Sequence, residues 1–66
     1  MKLRLNGESR EFERPLSIAE LVASLGLRPE VVAVELNGQL VPRAQHAERL
    51  VDEGDAVEVV TLVGGG

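Results

Sequence analysis

Ser17 and Glu20 stand at the head of the one run of helical period in this 66-residue chain, and that run has a single apolar face. In the spacing S-x-x-E the serine hydroxyl accepts from the glutamate backbone N–H while the carboxylate reaches back to the serine N–H, satisfying two free donors together. Leu16 before the cap and Leu21 at the fourth helical position form the matching hydrophobic staple. Ile18, Leu21, Val22 and Leu25 then fall at i, i+3, i+4 and i+7. Gly26 stands where a left-handed C-terminal residue is wanted, Leu27 can fold back on the last turn and Pro29 blocks continuation, so the helix is predicted to end near Leu25. One helix with one apolar stripe cannot enclose a core alone. The remaining segments must supply a sheet for it to cover.

They have the pattern to do so. Met1 to Leu5 alternates polar Lys2 and Arg4 with apolar Leu3 and Leu5, and Asn6-Gly7 reads as a turn. Arg10 to Glu13 is read as the returning strand, with Phe12 inward. Val31 to Leu36 places Val32, Val34 and Leu36 toward the core and Glu35 outward, and Asn37-Gly38 is a second hairpin signal. Leu40 and Val41 begin a strand that Pro42 confines to an edge or terminates. Arg43 to Arg49 reads as a loop or one helical turn, and Asp52-Glu53-Gly54-Asp55 as a turn. Ala56 to Val63 is the longest β-branched run and the candidate central strand. Hairpin, helix and further strands indicate an α+β domain. With the last strand parallel to the first, this is the β-grasp architecture: a mixed sheet of four to five strands covered by one main helix. The expected division is a domain over residues 1–63 and a glycine tail over 64–66.

Composition excludes several kinds of function. Without cysteine the chain has no disulfide framework, thiolate metal site or cysteine nucleophile, so any sulfur it handles comes from elsewhere. A single histidine, His46, cannot make a multi-histidine metal site, and its polar neighbours make it read as a solvated loop residue. Net charge of −4 opposes nucleic-acid binding. No apolar run is long enough to span a membrane and no secretory signal opens the chain, which makes the cytoplasm the expected location. The Asp52, Glu53 and Asp55 cluster reads as a solvated turn rather than a cation site.

Chemistry is expected at the chain end. Gly64-Gly65-Gly66 lacks Cβ atoms, so it can enter a narrow enzyme channel that side chains would obstruct. Its α-carboxylate is ionised at neutral pH and can attack phosphorus. If Val57 and Val59 face the helix, then Glu58, Val60 and Leu62 lie on the opposite sheet face. Val60 and Leu62 are candidates for a partner-docking patch, the competing readings being core residues displaced by a bulge or a contact between copies.

The order Leu3-Arg4-Leu5-Asn6-Gly7, the Ile18 to Leu27 helix, Val34-Glu35-Leu36-Asn37-Gly38, Val41-Pro42-Arg43, Glu53-Gly54-Asp55 and Val63-Gly64-Gly65-Gly66 resembles the sulfur carriers of thiamine biosynthesis, the ThiS family. These are siblings of the molybdopterin synthase small subunit and relatives of ubiquitin. The resemblance implies a carrier rather than an enzyme, with Gly66 as the position that is adenylated and converted to a thiocarboxylate. Gly64 and Gly65 would be its tail. It implies no bound cofactor, ATP being used by an adenylating, ThiF-like partner. A persulfide donor and thiazole synthase are the other implied partners. A molybdopterin-type carrier, a ubiquitin-like modifier and a regulatory β-grasp domain are the alternatives.

Overall fold

Two Asn-Gly turns set the sheet. In the computed structural model, which describes residues 1–62, Asn6 and Asn37 have φ of 52° and the following Gly7 and Gly38 have φ of 84°. Two consecutive left-handed residues make the turn whose twist matches antiparallel strands, and asparagine followed by glycine tolerates that geometry best. The first turn joins β1 (Lys2–Leu5) to β2 (Glu8–Glu11) with Leu5 opposite Glu8. The returning strand thus starts directly after the turn, earlier than the expected Arg10 to Glu13, because a two-residue turn leaves no spare residues. All four β2 residues are exposed. Phe12 lies just beyond, partly buried against the core, its N–H donating to Met1 O at 2.8 Å.

β3 (Leu16–Ser17) leads into α1 (Ile18–Ser24). Ser17 Oγ accepts from Glu20 N at 3.1 Å and Glu20 Oε1 accepts from Ser17 N at 2.9 Å, which is the capping box. At the other end Leu25 is the cap and Gly26 takes φ of 75°. Leu27 N donates to Val22 O and Gly26 N to Ala23 O, a pair of bonds that satisfies the last carbonyls. After a short 3₁₀ turn over Pro29–Val31 come β4 (Val32–Leu36) and β5 (Gln39–Val41). A second 3₁₀ turn, Arg43–Gln45, precedes β6 (Leu50–Val51) and β7 (Ala56–Thr61).

The five-stranded sheet has the order β2-β1-β7-β4-β5, with β7 parallel to β1 and antiparallel to β4. Ile18, Leu21 and Val22 of α1 are buried with Leu3, Leu5, Val34, Leu36, Val57 and Val59 of the sheet. This is the β-grasp arrangement, with the last strand central as expected. A two-residue ladder of β3 with β6 adds a small second sheet that local pattern did not reveal. It is too short to show any alternation of side chains. No helix among the described residues is long and apolar enough to cross a membrane.

Candidate functional site

The proposed chemical residues, Gly64, Gly65 and Gly66, lie outside the described residues, as does Val63, the last residue of the expected central strand. What the structure describes is the strand that leads to them. On one side of β7, Thr61 is paired with Val32 and Leu62 N donates to Val31 O at 2.6 Å. On the other side β1 ends at Leu5, and the amide of Asn6 takes over. Asn6 Oδ1 accepts from Val59 N at 2.7 Å and Asn6 Nδ2 donates to Val59 O at 3.2 Å. A side chain thus stands in for one further residue of β1. Asn37 does similar work at the start of the strand, its Oδ1 accepting from Ala56 N at 2.9 Å. Both turn asparagines therefore hold β7, the strand that carries the tail.

Side-chain alternation along β7 is as the sequence predicts. Val57 and Val59 are buried, whereas Val60 and Leu62 are each 54% exposed. Leu40, which local pattern did not single out, is 65% exposed on β5 opposite Glu35. Ala33 faces Val60 across β4 and β7, and Glu35 faces Glu58 in the same ladder. These residues share the sheet face turned away from α1. The Asn37-Gly38 turn already implies the opposition of Glu35 and Leu40, since a two-residue turn sets the register. The opposition of Glu35 and Glu58 needs the β4–β7 register, for which no local signal exists.

His46 corrects a sequence expectation. It is 4% exposed rather than solvated, and its Nε2 lies 2.9 Å from Val41 O. A carbonyl can only accept, so Nε2 carries the proton, and Nδ1 is buried without a partner among the described residues. The backbone explains the inward turn: Ala19 N donates to His46 O and Ile18 N to Arg49 O, so this loop supplies acceptors for the first free N–H groups of α1. Polar neighbours in sequence concealed a residue whose position is set by a helix end.

The acidic turn is occupied by its own surroundings. Asp55 Oδ2 accepts from Asp52 N, Asp52 Oδ1 from Glu53 N, and Glu53 Oε1 from Lys2 N. No cluster of metal-ligating side chains occurs among the described residues. Glu20 is held below the ordinary glutamate range, first by the Ser17 backbone N–H and then by Arg14, at 3.4 Å.

Comparison with known proteins gives a consistent result. The family model described as "ThiS family" matches residues 3–66. The Escherichia coli protein named sulfur carrier protein ThiS is 29% identical over 66 residues, with all of each chain covered. A protein of Paramagnetospirillum magneticum named thiazole synthase is 41% identical over the whole of this chain, which spans only 20% of that protein's length. Among solved structures, the Geobacter metallireducens thiamine biosynthesis protein (ThiS) superposes with a TM-score of 0.86 at 36% identity, each chain covered completely.

Proposed function

The chain belongs to the ThiS family, and we propose that it works as a sulfur carrier for thiazole formation in thiamine biosynthesis, holding sulfur as a thiocarboxylate on Gly66. The observation that carries this reading is the extent of the family match, which runs through the three terminal glycines. The thiazole synthase relatives add support: a segment equivalent to the whole chain makes up a fifth of their length. That physical linkage fits a carrier whose acceptor is thiazole synthase.

In the proposed sequence the Gly66 carboxylate attacks the α-phosphorus of ATP held by a ThiF-like adenylating partner. Pyrophosphate leaves and an acyl-adenylate forms. The terminal sulfur of a donor persulfide then attacks the activated carbonyl carbon, and AMP departs with the oxygen that had attacked phosphorus. The resulting acyl disulfide is cleaved by a thiol, which becomes oxidised as the thiocarboxylate is released. Persulfide and thiol chemistry of this kind belongs in a reducing compartment, the cytoplasm. The domain contributes presentation: β7 is tied along both edges, and Val60 and Leu62 face outward at the end of the described chain.

The test is intact-mass analysis after incubation with ATP, the adenylating enzyme and a persulfide donor. The expected product differs from the starting chain by replacement of one oxygen with sulfur. An unchanged mass with active partners overturns the reading.

A further inference from the structure

Glu35 and Glu58 stand directly opposite each other on β4 and β7, both exposed on the face away from α1. Like charges opposed across a strand pair destabilise a sheet. Neither carboxylate is in an ion pair among the described residues, where Arg14 with Glu20 is the pair that occurs. Arg4, on the same face beside Ala56, is turned to Gly7 O at 3.0 Å, and toward β4 and β5 the surroundings are apolar. Leu40 is opposite Glu35 on its other side, and Ala33 with Val60 forms the next rung of the same face, followed by exposed Leu62.

This combination has a definite complement. A cation between the two carboxylates would cancel their repulsion, and aliphatic contacts around it would exclude water and strengthen the attraction. Arginine suits the position better than lysine, because its planar fork has enough donors to serve two carboxylates while its stem packs on aliphatic side chains. We propose that this sheet face docks a partner protein that inserts an arginine between Glu35 and Glu58 and lays apolar side chains on Val60, Leu40 and Leu62. The inference rests on the carrier reading and takes the adenylating enzyme of that reading as the partner. The chain's net charge of −4 favours the same encounter with a basic surface.

The experiment measures pyrophosphate release by the adenylating enzyme as a function of carrier concentration, for the wild-type chain and the variants Glu35→Gln, Glu58→Gln and both together. Each single change is expected to raise KM by about 10-fold or more, as loss of a charge-assisted hydrogen bond does, with a smaller change in kcat. Denaturation midpoints should stay equal or rise, since repulsion is relieved. A purely structural role would move KM only alongside a loss of stability. Added salt should raise the wild-type KM more steeply than that of the double variant. An unchanged KM in the double variant overturns the inference while leaving the carrier reading intact. So does a wild-type dimer in sedimentation that the double variant abolishes, because the occupant is then a second copy. Absence of any pyrophosphate release from the wild-type chain overturns both.

Discussion

The side-chain amide of Asn6 pairs with the backbone of Val59 at both ends, accepting from its N–H at 2.7 Å and donating to its carbonyl at 3.2 Å. Asn6 is also the first left-handed residue of the β1–β2 turn, so one side chain links a hairpin corner to the strand that carries the tail. Asn6→Gly keeps the turn geometry and removes only the clamp. We expect hydrogen exchange at Val59 N–H to accelerate more than at Ala56 N–H, which Asn37 holds. Stability should fall by about 1 kcal/mol for the bonds lost. Unaltered protection at Val59 would show that the amide pairing does not hold the strand.

Ser17→Ala removes the hydroxyl that accepts from Glu20 N and should lower stability by about 0.5 to 2 kcal/mol. Ser17→Thr retains an acceptor and should recover part of it. Equal denaturation midpoints for wild type and the alanine variant would remove the cap from the list of stabilising contacts.

Glu20 adds a dependence on acidity. Its folded pKa lies below the ordinary glutamate value, so the unfolded chain binds the proton more readily. Its contribution is complete above the unfolded value of about 4.3 and disappears as pH falls through the lower, folded value. Glu20→Gln preserves the box-type hydrogen bond without a titrating group. Stability curves of the two chains should converge as the pH drops through the glutamate range; parallel curves would contradict the assignment.

His46→Ala should cost about 1 to 3 kcal/mol by removing a buried side chain and its hydrogen bond to Val41 O. His46→Gln can present an amide N–H there and should recover part of the loss. Adenylation of the refolded alanine variant should continue under conditions where it is folded, because the residue anchors a loop and no step of the proposed mechanism uses it. Loss of adenylation in a folded variant would give the imidazole a functional role.

Deleting Gly66 should leave the domain folded, since a terminal glycine has no side chain to add to the core that the described residues form. The new carboxylate would stop about 3.3 to 3.6 Å short of the reacting position, and misplacement by ~1 Å can already cost about 10²-fold. Adenylation and thiolation should be lost together. One residue added after Gly66 should be comparably harmful. Wild-type rates for both altered chains in the mass assay would end the carrier mechanism.

Features legible in the chain are those whose partners lie within a few residues. The capping box needs only the spacing from Ser17 to Glu20, the helix stop only Gly26 and its neighbours, and the hairpin turns only Asn-Gly pairs. Alternation along the last strand likewise sufficed to expose Val60 and bury Val59. The glycine tail pointed to the chain end, and family resemblance then gave Gly66 its candidate role.

Other features exist only after distant segments meet. His46 is buried because its backbone carbonyl serves an N–H of α1, and Asn6 reaches Val59 because β1 and β7 run side by side. The β3–β6 ladder and the opposition of Glu35 to Glu58 also depend on pairings between segments far apart in sequence. Hydrogen-bonding capacity is a property of each residue, but its satisfaction depends on which groups the fold brings within reach. Local spacing therefore determined the elements of this protein, and tertiary packing decided how they are tied together and which side chains its outer face presents.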